Sequence, residues 1–285
     1  MSDALTKIGI DLRGDVYYVA RIEHHPGRHE VKALLRLEQE HLGQHHLVTG
    51  GELALSIPDE LVMIKRLRLG GEEEVDLRAR FEMVQALPED ESQYLFDIIR
   101  SGLEDRFVGL AVRRDRLNDH KARLGSIGNG AAENSRCQMR AAALAMGYTG
   151  FCRKSGGDLV CLADFQPSSV SLAFLYQGAI VDLAHLPLGK RDPGRADAFE
   201  KIAMELRTLV NFRTAALFSD GITTPLSCLV VSGDHLSDEA INRLRKSFSI
   251  DINRPVINTG FFSGQADLTS VPLEKYLVAL GLAAN

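Results

Sequence analysis

No uncharged apolar run in this chain of 285 residues approaches the ~18–20 residues that a membrane-spanning helix needs. The opening Met1-Ser2-Asp3-Ala4-Leu5 carries no apolar leader segment. The expectation is a soluble, cytoplasmic protein whose attachment to a membrane runs through a partner. Charge of one sign is also lacking: Lys+Arg 33 stands against Asp+Glu 38, a net charge of −5. That balance supplies no electrostatic footprint for nucleic acid, so no nucleic-acid partner is expected. The four cysteines, Cys137, Cys152, Cys161 and Cys228, form no C-x-x-C pair. A zinc ribbon or thioredoxin-type motif is thereby unsupported, and the thiols read as reduced and buried. There is no Gly-x-Ser-x-Gly elbow, no Walker-A loop and no His-Glu-x-x-His, so hydrolase and metalloprotease chemistry has no positive support.

What is present is a soluble globular composition, 45% hydrophobic and 25% charged, in a chain long enough for two domains. Lys7 to Asp11 is a short apolar strand ending in an acid. Val16 to Ile22 is a second strand, and Val31 to Leu37 a third beyond the turn signal His25-Pro26-Gly27-Arg28. Leu53 to Ile57 and Leu61 to Leu67 are further strands on either side of Pro58-Asp59. Val75 to Leu87 has helical spacing and stops at Pro88. Tyr94 to Ile99 and Phe107 to Val112 read as strands. Asp115 is placed to cap a helix to Leu124, and Asn134 to Met146 reads as a helix closed by Gly147.

The second half repeats the opening. Leu159 to Asp164 is a strand ending in an acid; Ser169 to Leu175, a turn at Tyr176-Gln177-Gly178, and Ala179 to Leu186 follow. The two acids lie about half the chain apart, which indicates one supersecondary unit duplicated at the head of each half rather than a solenoid period. A long helix over Ala196 to Phe212, an apolar strand Leu226 to Gly233, a Ser237-started helix to Phe248 and a final helix Leu273 to Leu282 complete the chain.

Four stretches, taken in order, carry a family resemblance: Ile8-Gly9-Ile10-Asp11, Leu55 through Leu67 (LSIPDELVMIKRL), Glu205 through Phe212, and Val230-Val231-Ser232-Gly233. Together they resemble the actin-like ATPase superfamily, and within it the PilM-type proteins of type IV pilus assembly with their FtsA-type and GspL-type relatives. The resemblance spans residues 5–285. It implies an α/β, two-domain actin-like fold of the duplicated ribonuclease H-like kind with an inserted α+β subdomain. Residues 5–157 would form the first domain, with 53–133 inserted and 271–285 returning to complete it; 158–270 would form the second.

The same resemblance implies where nucleotide would bind. Asp11, Arg13 and Gly14 stand at the first phosphate loop, Asp164, Ser168 and Ser169 at the second, Glu205 on the long helix and Gly233 at the adenosine turn. Asp11 and Asp164 would organise magnesium. Such loops are glycine-rich because backbone amides must approach the phosphates closely. Here Arg13 takes a glycine's place, Asp15 that of a small hydroxyl residue, Gln166 that of another glycine, and Pro167 removes an amide donor. Thr208-Leu209 falls where an Arg-Ser pair is common. ATP and magnesium are therefore not expected as resident cofactors, and turnover is expected to be weak or absent.

Two readings stand. In one, the chain is a cytoplasmic scaffold of a pilus or type II secretion machine that captures the cytoplasmic segment of a PilN-like bitopic inner-membrane protein. The groove would lie between the first subdomain and 53–133, with Leu61, Met63 and Phe81 as candidate contacts and self-association left open. In the other, ATP and magnesium drive a switch in pilus biogenesis or cell division. Six of the nine histidines fall in His24, His25, His29, His41, His45 and His46. His41 and His45 have metal-compatible spacing, but the Gly43 to Gly51 link around them reads as a solvated loop. Arg113, Arg114, Arg116, Lys121 and Arg123, interleaved with Asp115 and Asp119, read as a solvated helix face.

Overall fold

A computed structural model describes residues 5–26, 28–38, 41, 50–70, 74–123, 135–153, 157–262 and 272–285. The expected helix end at Leu124, most of the Gly43 to Gly51 link, His45, His46 and Asn134 lie outside the described residues. The chain divides into two compact units. One is Met1–Ile57 with Asn118–Lys154 and Arg254–Asn285; the other is Pro58–Leu117 with Ser155–Asn253.

In the first unit, β1 (Leu5–Arg13), β2 (Val16–His25) and β3 (Arg28–Glu38) form an antiparallel meander. β4 (Glu52–Ile57) and β8 (Arg136–Met139) extend it in parallel to the order β3-β2-β1-β4-β8. β1 runs past Asp11 to Arg13, which pairs with Val16, so the acid sits within the strand rather than at its tip. Gly14-Asp15 is then a two-residue hairpin loop, and Gly14 at φ +61° supplies the left-handed backbone its first position demands.

The helix expected from Asn134 is instead β8 followed by α3 (Arg140–Phe151). Arg136 to Met139 are drawn into the sheet by pairing with Ala54 to Ile57, a tertiary contact that no local pattern signals. Gly147 is not a cap but a buried position inside α3. A Cβ there would lie 1.9 Å from the Leu277 carbonyl oxygen, so the glycine serves the close crossing of α3 with the last helix. That helix, α6, spans Leu277–Ala284 after a 3-10 turn over Leu273–Tyr276, and its first residues therefore start later than periodicity suggested. It packs on α3, β1 and β2, burying Ala279, Leu280 and Ala283 with Tyr18, Ile22 and Phe151.

In the second unit, β9 (Leu159–Phe165), β10 (Ser169–Tyr176), β11 (Ala179–Pro187), β12 (Leu226–Gly233) and β13 (Asp251–Asn253) take the order β11-β10-β9-β12-β13. Strand for strand this repeats the first sheet: an antiparallel meander with two parallel strands added beside its first member. Gln177 and Gly178, at φ 51° and 86°, make the β10–β11 turn where it was expected. α4 (Ala196–Ser219) outruns the predicted end at Phe212, because nothing in 213–219 breaks a helix and Thr214 and Leu217 continue its buried stripe. The core is contiguous from Leu159 through Phe174 to Leu206 and Leu244.

α5 (Asp238–Ser247) begins as predicted, with the Ser237 hydroxyl accepting from the Ala240 amide at 3.2 Å. Ser237→Ala is expected to cost about 1 kcal/mol in urea-induced unfolding.

The second unit also contains β5 (Val62–Arg68), α1 (Val75–Val84), β6 (Tyr94–Arg100) and β7 (Arg106–Arg113). They form an antiparallel sheet in the order β5-β7-β6 with α1 packed on it. This small α+β piece is tied to the end of α4 by charge and to β11 by a backbone hydrogen bond. Asp220 accepts from Arg66 at 2.5 Å and from Arg106 at 3.0 Å, and the Gly102 amide donates to the Ile180 carbonyl at 3.1 Å. α2 (Arg114–Arg123) follows β7. Asp115 lies inside its first turn rather than before it, since both carboxylate oxygens are held by Arg113 and one also accepts from the Arg116 amide.

Candidate functional site

In the first unit the structure gathers Asp11 and Arg13 with a residue the sequence reading did not single out, Arg140. The Asp11 carboxylate is fully buried. Its Oδ2 accepts from Arg13 Nε at 2.8 Å, and its Oδ1 from Arg140 Nε and Nη2, each at 2.8 Å. Both guanidiniums are buried as well. Arg13 does not extend toward solvent: Nη2 donates to the Lys275 carbonyl at 3.1 Å and its guanidinium carbon lies 5.1 Å from the centre of the Tyr18 ring. Arg140 Nη2 also bonds the Leu12 carbonyl.

Ser56 completes the cluster, accepting from the Leu12 amide at 3.4 Å while its carbonyl lies 2.8 Å from His120 Nε2. Burial alone would raise the Asp11 carboxyl; the positive charges of Arg140 and Arg13 outweigh it and hold the group below its ordinary value. Gly14 lies just beyond, in the exposed hairpin loop.

In the second unit Asp164 is likewise fully buried, within β9 opposite Ser171. The Ser232 hydroxyl donates to its Oδ1 at 2.8 Å; Gln166 Nε2 lies 3.3 Å from its Oδ2 and 2.9 Å from Ser171 Oγ. The 166–169 turn is closed by Gln166 N donating to the Ser169 carbonyl at 2.9 Å. Ser168 is exposed and Ser169 buried. Gly233, at φ +106°, passes so near β9 that a Cβ would lie 2.1 Å from the Phe165 carbonyl oxygen. Only glycine fits, and the reason is strand packing. Glu205 lies apart from this cluster on the exposed face of α4, paired with Arg191 Nη1 at 2.6 Å.

A second buried acid in this unit, Asp182, went unnoticed in the sequence. It is pushed up by burial, against the opposing pull of Arg213 at 3.4 Å and Arg66 at 3.9 Å.

The candidate partner contacts also fall in the second unit. Leu61 closes a 3-10 turn over Asp59–Leu61 and is half-buried. Met63 packs against the small core of Leu67, Ala79, Met83 and Ala111. Phe81 stands 64% exposed on α1, one turn from Leu77 at 63%. These two and Leu69 line a groove of about 430 Å³ rimmed by Arg68, Arg78 and Glu82. Leu77 shows the i,i+4 spacing to Phe81 that could have flagged it in the sequence. Among the described residues, no helix is long and apolar enough to cross a membrane.

No protein-family model matches the chain, and a search of curated protein sequences finds no match. Solved structures do match. The duplicated five-stranded sheets, with a small α+β piece inserted in sequence between β4 and β8 of the first, are the actin-like ATPase fold. A protein of Bacteroides thetaiotaomicron described as having that fold and unknown function superposes with a TM-score of 0.53, at 11% identity, over 87% of this chain and 90% of that one. More similar is a chain of the PilM-PilN type IV pilus biogenesis complex: TM-score 0.73, 13% identity, covering 98% of this chain and 97% of that one. The expected two-domain actin-like fold is therefore the fold of this chain.

Proposed function

We propose that this chain is an actin-fold scaffold of a type IV pilus or type II secretion assembly, with a degenerate nucleotide site. It works at the cytoplasmic face of the inner membrane by binding the cytoplasmic segment of a PilN-like bitopic protein. The observation that carries the scaffold reading over the switch reading is the Asp11 carboxylate, whose two oxygens are both taken up by buried arginines. An acid that organises hydrated magnesium must face water and ion; this one is neutralised by the protein itself. At Asp164 the replacement of a loop glycine by Gln166 acts in the same sense, because its amide turns back onto the carboxylate. The extent of the PilM likeness supports the assignment to pilus or secretion machinery, and the exposed Leu77 and Phe81 offer apolar side chains to a partner peptide.

Isothermal titration of the full chain with ATP and magnesium is expected to give no binding heat, while affinity capture from the native cell envelope recovers a bitopic inner-membrane protein. Clear micromolar ATP binding overturns the degenerate-site half of the reading. Failure to recover any such membrane protein overturns the scaffold half.

A further inference from the structure

The β2–β3 hairpin brings together side chains that no part of the proposed function uses. Glu23 and Glu30 stand directly opposite each other across the two strands. Like charges in that relation repel. His25, two residues beyond Glu23, shares its face of the ribbon. His25 Nε2 lies 3.6 Å from Glu23 Oε2 and 3.8 Å from Glu30 Oε2, and the three ligand-type atoms all fall within 4.8 Å of one another.

Those separations are too long for hydrogen bonds. The two imidazole–carboxylate separations are a few tenths of an ångström longer than those of atoms that share one ion: metal–ligand lengths of ~2.0–2.1 Å at tetrahedral angles place ligand atoms ~3.3–3.4 Å apart. We propose that Glu23, His25 and Glu30 form a binding site for a divalent transition-metal cation of the zinc class.

The donor set argues for that class. One imidazole with two carboxylates suits a borderline cation, whereas magnesium and calcium prefer oxygen alone. All three side chains are partly exposed, at 28%, 38% and 17% for Glu23, His25 and Glu30, so an ion can reach them and water can fill a fourth position. Lys32 Nζ lies 3.2 Å from Glu23 Oε2 and 2.9 Å from Glu30 Oε1. Lys32 thus holds the site oxygen of Glu23 and the other oxygen of Glu30, and Arg28 also acts on Glu30, so an incoming metal competes with these cations for the carboxylates.

The other two histidines of the hairpin are excluded by geometry. His24 and His29 pack edge-to-face with ring centres 4.6 Å apart, and His24 Nε2 lies 2.8 Å from the Ala283 carbonyl. An ion held by residues from near the end of β2 and one from near the start of β3 would clip the hairpin closed near its turn.

The test is isothermal titration of the full chain with zinc chloride at neutral pH in a non-chelating buffer, with circular dichroism to verify folding of each variant. The wild-type chain is expected to take up zinc. His25→Gln and Glu30→Gln are each expected to weaken that binding by at least about tenfold. Lys32→Gln tightens it by removing the competitor, and His29→Gln leaves it unchanged. No zinc uptake up to about 1 mM overturns the site. So does uptake that His25→Gln leaves intact, or a loss in His29→Gln as large as that in His25→Gln.

Discussion

Asp11→Ala is expected to lower the stability of the chain by about 3–5 kcal/mol, the usual cost of removing one partner from a buried ion pair. The size follows from what the alanine would leave behind. Arg13 and Arg140 would keep buried guanidiniums, at 4% and 2% exposure, without the carboxylate that pairs them. Arg140→Met is expected to cost less, because Arg13 still pairs Asp11 at 2.8 Å. The double variant Asp11→Asn/Arg140→Met is expected to recover part of the loss, since it deletes charge of both signs. Urea-induced unfolding monitored by circular dichroism measures all three. If Asp11 were instead a magnesium-site acid held open for nucleotide, its removal would leave unfolding unchanged or raise stability, so an unshifted midpoint sinks the ion-pair account.

The sign with pH follows as well. A carboxyl held below its ordinary value in the folded state contributes stability that is fully present above the unfolded value of ~3.9 and is lost as pH falls through the lower folded value. Acid unfolding of wild type is therefore expected to lose an increment that Asp11→Ala lacks from the start.

How much of this was legible in the sequence depends on the range of the interaction. The duplication was readable because each half is built from local signals. Gly14-Asp15 and Gln177-Gly178 are hairpin turns, the strands around them alternate or run apolar, and Ser237 caps the helix after it. β8 and β13 were missed because Arg136 to Met139 and Asp251 to Asn253 have no strand signature of their own and are strands only through parallel pairing with β4 and β12. The scarcity of glycine in the Asp11–Asp15 and Asp164–Ser169 stretches was also legible, since it can be seen in a single chain. The pairing of Asp11 with Arg140 could not be seen: the two are separated by 129 positions, and no spacing rule links them. Phe81 could be suspected from its place on an amphipathic segment, but the pairing of Asp182 with Arg66 and Arg213 depends wholly on how β5, β11 and α4 come together.

The same distinction separates the glycines, and it yields a pair of effects of opposite sign. Gly281→Ala is expected to destabilise the chain by about 2–3 kcal/mol, at the upper end of what overpacking costs. The added Cβ would lie 1.9 Å from the Ala143 carbonyl oxygen and 2.6 Å from the Gly147 nitrogen. Both are backbone atoms, so no rotamer change relieves the clash; α6 has to move off α3. Such movement is resisted on a second side, because Gly9 of β1 lets the same helix approach until a Cβ there would lie 2.0 Å from the Ala279 carbonyl oxygen. The clash therefore has to outweigh the gain of about 1 kcal/mol that alanine brings to a helix interior, and three backbone-to-backbone approaches along eight residues of α6 are enough to do so. Gly150, near the end of α3, isolates that gain: a Cβ there meets nothing within 4 Å. Gly150→Ala is expected to raise stability by a few tenths to about 1 kcal/mol. Thermal unfolding of the two variants side by side decides the point, and a Gly281→Ala midpoint at or above wild type would show that α6 does not dock on α3 as closely as described.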